Sequence, residues 1–317
     1  MAPLLTLAMP VRNGQRFIES ALESILAQSF DDYELLIVDN ASTDATPAIC
    51  ERFAGSDRRI RYVRNPVDLG AGGNFNRCVE LASGRLFKWC AHDDVIGPGY
   101  LEHCVRALAA NPRAITAYGP LIQVDAEGAP TGYVERPLPP LGGASPAARF
   151  RMLMHRQGLD AAIFGVHRLD VLRSTSLHRP YYGSDCALLA ELALLGPFVH
   201  VPEAVLYSRD HPNRSVNLPT EQRLVWQAPV DRRANAHEFS SRIGHLFAIG
   251  WHHRGQAPVV ATGASVLVFV LHPLRLARVG LEAVGTISPG LRMRLRVTGL
   301  SALQLLGSRR TSRGQDV

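Results

Sequence analysis

Asp39 ends an apolar run in LLIVDNASTD. A carboxylate placed directly at a strand end can accept the imide N–H of a pyrimidine ring. The same residues also suit a turn, because Asp, Asn, Ser and Thr all bond their own backbone. Asp44, further along, fits the turn better. Asp93 and Asp94 follow another apolar run in FKWCAHDDVIGP. Two adjacent carboxylates repel each other unless a cation or water meets them. Hard divalent ions such as Mg²⁺ and Mn²⁺ take one or two carboxylates together with diphosphate oxygens. The plainer alternative is a solvated acidic turn that caps the next helix. Asp185, in YYGSDCALLAELALLG, suits the first turn of a helix, where the dipole favours an anion. It equally suits a general base at a pocket rim. His211, in LYSRDHPNRS, is a third metal ligand, a phosphate contact or neither. Arg209 and Arg214 beside it face diphosphate or solvent.

These side chains need a scaffold that gathers them, and the first 110 residues supply one. Residues 4–9 form an apolar run ended by Pro10, and Phe17, Ile18, Ala21, Leu22, Ile25 and Leu26 recur at helical spacing. Residues 33–38, 60–63 and 86–90 read as further strands. Thr46-Pro47 reads as a helix start, with the hydroxyl as cap and proline at the first position. Residues 71–83 read as a helix ending at Gly84, and residues 100–109 as another. Alternating strands and helices imply right-handed crossovers and a mostly parallel α/β sheet. Ligands bind such sheets beyond the carboxyl ends of the strands. The loops that matter are therefore 10–14, 39–45, 65–76 and 91–97.

The middle is less regular. Residues 116–134 read as two strands around the turn 125–128, and the Pro/Gly-rich residues 135–146 as a mobile loop. Residues 184–195 read as a helix with Ser184 as cap and Gly196-Pro197 as its stop. Gly70-Ala-Gly72-Gly73 lacks the GxGxxG spacing of a dinucleotide loop, and neither GxxxxGK[ST] nor GxSxG occurs.

Composition narrows the class. At 317 residues, 46% hydrophobic and 20% charged, the chain can bury a large core, which excludes a disordered chain or a small stapled scaffold. Five cysteines without a CxxC pair argue against a disulfide framework or a zinc site and fit a reducing compartment. The N-terminus lacks the features of a signal peptide. Residues 1–220 carry a net charge of −2 and residues 221–317 a net charge of +8. The tail is helical, apolar and basic, and residues 255–274 contain no Asp, Glu, Lys or Arg. Its dense apolar part, residues 259–271, is shorter than the roughly 20 residues of a span. A span, an interfacial segment and an ordinary packing helix all remain open. A basic, apolar tail suits an anionic membrane surface. Nucleic acid is not expected, because no aromatic residues interleave the tail arginines.

Taken together and in order, these motifs resemble the family 2 nucleotide-sugar glycosyltransferases of GT-A fold, over roughly residues 4–215. MPVRNG is similar to the opening strand-end motif, which implies donor contacts at Pro10, Val11, Arg12 and Asn13. Asp39 matches the acid that holds the nucleobase, and Asn76 matches the family's Asn in the stretch from Gly70 to Gly84. Asp93-Asp94 resemble the metal motif. The resemblance implies that Asp94 meets Mg²⁺ or Mn²⁺ and that Asp93 lies near the ribose; His211, read from its own neighbourhood, is the candidate further metal ligand. Tyr182-Gly-Ser-Asp185 resembles the segment carrying the catalytic base. Departures are Arg12 at a commonly aromatic position, Phe75 at a common Arg, and Ala91 at the first acid of the DxD pattern. The QxxRW motif of processive synthases is absent, which argues for single sugar addition.

The resemblance implies a GT-A domain over residues 1–220, with a nucleotide-binding half (1–115) and an acceptor-binding half (116–220). The tail, 221–317, follows. It implies an inverting transfer from a nucleotide-sugar donor, UDP or dTDP favoured, to a hydroxyl of a saccharide or lipid-linked acceptor. Asp185 would take the acceptor's proton, and the loop 135–146 is a candidate lid. The tail is expected to hold such an enzyme at the cytoplasmic face of a membrane. A non-catalytic binding protein of the same fold is the competing class. A sugar-1-phosphate nucleotidylyltransferase would need a Gly-rich loop with Arg and Lys after the first strand, and residues 10–14 are not that.

Overall fold

The computed structural model describes residues 2–156, 160–227 and 238–287. The tail expectations for residues 228–237 and 288–317 lie outside these described residues. The strands are β1 (Leu5–Val11), β2 (Tyr33–Asp39), β3 (Ile60–Arg64), β4 (Leu86–Trp89), β5 (Val95–Ile96), β6 (Thr116–Tyr118), β7 (Leu121–Val124), β8 (Pro130–Val134), β9 (Val166–Arg168), β10 (Phe198–His200) and β11 (Leu206–Arg209). The helices are α1 (Ile18–Leu26), α2 (Thr46–Ser56), α3 (Gly70–Leu81), α4 (Tyr100–Ala110), α5 (Pro146–His155), α6 (Asp160–Ile163), α7 (Leu169–Arg173), α8 (Ser184–Leu195), α9 (Thr220–Gln227), α10 (Glu238–His252), α11 (Val259–Val270) and α12 (Pro273–Ile287).

Seven strands form the central sheet in the order β10-β6-β9-β4-β1-β2-β3, with helices against it. All of its neighbours are parallel except β9, which runs antiparallel between β4 and β6. β1 is buried at every position and β2 at all but one, as befits strands covered on both faces. A smaller sheet, β5-β11-β7-β8, holds the hairpin around residues 125–128. This is the α/β architecture expected, a mostly parallel central sheet flanked by helices, with further helices in the C-terminal part.

Pro10 does not end β1. The Ala8 carbonyl accepts Cys90 N–H on the β4 side, and the Val11 carbonyl accepts Asn40 N–H on the β2 side. Bonding direction alternates along the strand, so the nitrogen of Pro10 faces the β4 side. The β1–β4 pairing has ended there at Ala8 and Trp89, and proline's missing donor costs no ladder bond. Two expected caps also differ. Thr46 Oγ1 accepts Gly14 N–H at 2.8 Å, while Asp44 accepts Thr46 N–H at 3.0 Å and Gln15 N–H at 3.2 Å; Asp44 is the turn residue. α8 is entered through Gly183 at φ 84° rather than capped by Ser184, a conformation that suits glycine. The loop 135–146 is pinned at three points. Leu138 and Leu141 are buried, and Glu135 accepts Ala161 N–H.

The tail docks on α8 and the segment before it through a buried polar chain. Tyr181 hydroxyl donates to His245 Nδ1 at 2.8 Å, and His245 Nε2 lies 2.6 Å from Ser176 Oγ. Ser176 donates its hydroxyl and its N–H to Glu191 of α8, whose other oxygen takes His253 Nε2 at 2.7 Å. Every member has a partner, which is what makes such a network tolerable in a core. Burial pushes His245 down to about 4. In the β9 interior, His167 is likewise pushed down to about 4 by burial. For a histidine whose folded pKa lies below its unfolded value, the unfolded chain binds more protons between the two. Stability is therefore full above about pH 6.5 and lost as pH falls toward 4. The melting temperature should drop by several degrees between pH 7 and pH 5; a flat profile would contradict the neutral, buried state of these rings.

Candidate active site

The chain order 3-2-1-4 places the reversal of the sheet between β1 and β4. Ligands of open α/β sheets bind at that crevice, beyond the carboxyl ends of the strands. Residues 12–14, 39–44 and 90–94 meet there. A Cβ added to Gly14 would lie 2.6 Å from the His92 ring, so glycine is what lets the first and fourth loops approach. Asn13 adopts φ 54°; its N–H donates to Ser42 Oγ at 2.9 Å and its Oδ1 accepts Thr43 N–H at 2.8 Å.

Asp39 is buried at the end of β2. Oδ1 accepts Ser42 N–H at 2.9 Å and Oδ2 accepts the Tyr62 hydroxyl at 2.7 Å, with Arg64 Nε at 3.6 Å. A carboxylate has about four acceptor positions, and these bonds use two. The neighbouring floor is an amide network absent from the sequence reading. Asn65 donates to both Asn40 and Asn74, and Asn74 donates to the Val38 carbonyl at 2.9 Å. Asn40 also donates to Asp68 at 2.6 Å, and Asp68 pairs with Arg12 at 3.2 Å. Asp68 thus links the first and third loops. Its sequence signal was its place two residues ahead of Gly70, whose N–H it accepts at 2.8 Å, the position of an Asx turn.

The two acids have different partners. His211 Nε2 lies 2.9 Å from Asp93 Oδ2, so Asp93, not Asp94, stands with the histidine. Asp94 turns inward and accepts Arg209 N–H at 2.9 Å. It ties β11 to the loop after β4 and has no contact with His211. Burial and the neighbouring Asp93 charge push Asp94 above the usual carboxylate range. Burial acts on Asp93 in the same sense, but His92 and His211 outweigh it and hold Asp93 below that range. Phe17 packs against the His211 ring at 4.8 Å, and the Arg209 guanidinium lies over Phe17 at 4.9 Å. Arg209 also donates to the Asp93 and Ala126 carbonyls; it braces the pair. Arg214 donates to Ser208 Oγ.

Asn76 bonds to the backbone of His178 with both ends of its amide. Its side-chain amide donates to the His178 carbonyl at 2.9 Å and accepts His178 N–H at 3.0 Å. Phe75, Trp89 and His178 pack ring to ring at 5.1–5.9 Å. These contacts fix the segment that leads into Gly183, Ser184 and Asp185. Asp185 is half-buried in the first turn of α8 and accepts Cys186 N–H at 2.9 Å. Asn76→Ala should cost about 1–3 kcal/mol, because it leaves a backbone amide pair without partners. It should lower kcat more than it raises the donor KM, measured by steady-state kinetics beside a thermal melt. The reverse split would return Asn76 to the donor.

Among the described residues, no cluster of three or more His, Cys, Asp or Glu could hold a metal alone. A carboxylate and an imidazole 2.9 Å apart nevertheless fit a divalent ion whose remaining positions are filled by diphosphate oxygens and water.

The family model of glycosyl transferase family 2 matches residues 6–155. An uncharacterized glycosyltransferase of Haemophilus influenzae is 23% identical over 255 residues, 76% of each chain. The chain spans only 18–36% of the length of further curated relatives that it matches. Among solved structures, S. aureus TarS in complex with UDP superposes with a TM-score of 0.55 at 12% identity, over 91% of this chain and 92% of that one. The mannosyltransferase PcManGT of Pyrobaculum calidifontis, in complex with GDP-Man and Mn²⁺, superposes with a TM-score of 0.52 at 17% identity, over 98% of this chain and 83% of that one.

Proposed function

We propose that this chain, whose residues 6–155 match the family model of glycosyl transferase family 2, moves one sugar, with inversion, from a nucleoside-diphosphate donor to a hydroxyl of a saccharide or lipid-linked acceptor. The observation that carries this reading is the Asp93–His211 pair at 2.9 Å, beside the crevice between β1 and β4. Asp93 and His211 would hold Mg²⁺ or Mn²⁺. Such an ion neutralises charge that develops on a leaving diphosphate. Among proteins of similar fold, one is crystallised with GDP-Man and Mn²⁺ and another with UDP, which supports a nucleotide ligand of either base class.

The chain's own residues have separate tasks in this reading. Asp39, with two acceptor positions to spare, reads the imide N–H of uracil or thymine; guanine, which also offers donors, is the second choice. Arg12 and Asp68 line the mouth of the base site, and a guanidinium plane can stack on a base. Asp185 accepts the proton of the acceptor hydroxyl as that oxygen attacks the anomeric carbon. The Phe75–Trp89–His178 cluster and Asn76 hold the Asp185 segment in place, because a base must stay within hydrogen-bond reach of its proton.

Product analysis tests the assignment. The full chain is incubated with Mn²⁺, UDP-, dTDP- and GDP-sugars and a panel of saccharide and lipid-linked acceptors. The expected result is transfer from one donor with release of the nucleoside diphosphate and inverted anomeric configuration. Release of pyrophosphate, or binding without turnover across the panel, would replace this reading with a nucleotidylyltransferase or a binding protein.

A further inference from the structure

The outer face of the tail helices is apolar in a way that core packing does not produce. On α11, Thr262 and Ser265 are buried along with Val266 and Phe269. Val260, Leu267, Val268 and Leu271 point outward, at 82, 54, 60 and 63% exposure. The two hydroxyls bond back to the carbonyls of Val259 and Ala261, so burying them leaves nothing unsatisfied. A helix on a water-soluble core turns its large apolar side chains inward and a polar face outward; α11 is apolar on both faces. α12 also exposes apolar side chains. Leu274 and Leu276 are exposed, whereas the Arg275 guanidinium lies 3.7 Å from the centre of the Phe269 ring. Trp251, near the end of α10, adds an aromatic at 64% exposure.

The exposed charge near this face is cationic: Arg254 and Arg278 are exposed, whereas Glu282 is buried and accepts the N–H groups of Phe239 and Ser240, and Arg242 and Arg275 lie over the Phe269 ring. Among the described residues, no single helix is long and apolar enough to cross a bilayer. α11 and α12 would do so only as a pair bent by 81°. A continuous exposed apolar face marks a binding surface. With exposed arginines beside it, the complementary partner is an anionic lipid headgroup layer with acyl chains beneath it.

We propose that the outer face of α10–α12, through Trp251, Val260, Leu267, Val268, Leu271 and Leu274, docks in the interface of an anionic bilayer. The aliphatic side chains enter the acyl boundary, and the exposed Arg254 and Arg278 stay at the phosphates. This inference stands on the tail alone and does not depend on the proposed transfer reaction.

Vesicle flotation of the full chain tests it. The protein should float with vesicles of mixed phosphatidylglycerol and phosphatidylcholine, and much less with phosphatidylcholine alone. Raised salt should weaken the binding, since screening weakens the electrostatic part. The double variant Leu267→Ser/Leu271→Ser changes only exposed positions and should melt like the wild type. Its partition into anionic vesicles should fall by about 30-fold or more, since each leucine contributes at least 1 kcal/mol or so of burial. The proposal is overturned if the wild-type chain stays unbound with anionic vesicles at low salt. It is equally overturned if the folded double variant floats as well as the wild type. Self-association through this face without vesicle binding would give the surface to a second copy of the chain instead.

Discussion

Asp185→Asn lowers kcat by about 10²–10⁴, the contribution of a positioned general base, and leaves donor binding near wild type. The carboxylate sits in the first turn of α8, where it accepts the N–H of Cys186. Asparagine keeps the size and can still accept that N–H through its carbonyl oxygen, but it cannot take a proton from an attacking hydroxyl. If Asp185 served only the helix dipole, the substitution would cost about 0.3–1 kcal/mol of stability and turnover would hardly change. Measuring kcat, donor KM and melting temperature on one variant separates the two roles. Unchanged kcat with a lowered melting temperature would remove Asp185 from the mechanism.

Asp93→Asn and Asp94→Asn give the second large effect, and the contrast between them is the test. Asp93 faces His211 in the crevice, whereas Asp94 accepts the Arg209 N–H and is nine-tenths buried. Asp93→Asn should reduce metal-dependent transfer by about 10²-fold or more, because it removes the carboxylate beside the imidazole. Asp94→Asn keeps an oxygen to accept the Arg209 N–H. Burial and the Asp93 charge already disfavour its ionised form, so it should keep most metal-dependent activity and lose about 1 kcal/mol of stability or less. Full activity in Asp93→Asn, with loss in Asp94→Asn, would restore the metal to the second acid.

The scaffold was legible because its central strands are buried on both faces. β1 and β2 read as short apolar runs, and α3 and α8 are bounded by glycines at 70, 84, 183 and 196. The antiparallel strand β9 was not legible. It has three residues, two of them His167 and Arg168, and its pairing with β4 and β6 rests on contacts far apart in sequence. The site was legible as a set of loops and less so as a set of side chains. Spacing could not say which of two adjacent acids faces the crevice, since both lie in the irregular turn after β4, where no strand or helix period applies. It also could not show that the Asn76 amide bonds to the backbone of a residue 102 positions away. Glu191 carried a visible signal, an acid in the apolar run CALLAELALL. Its partners His253 and Ser176 lie outside α8, where helical periodicity gives no information.

Titrating the full chain with UDP, dTDP and GDP, in Mn²⁺ and then in a chelator, tests the central claim most directly. The account predicts that at least one of these diphosphates binds, at least about tenfold more tightly with the metal, a difference of about 1.4 kcal/mol, and that Asp93→Asn abolishes this metal dependence. Binding that is equally tight in the chelator, or no binding of any nucleoside diphosphate in Mn²⁺, would contradict it.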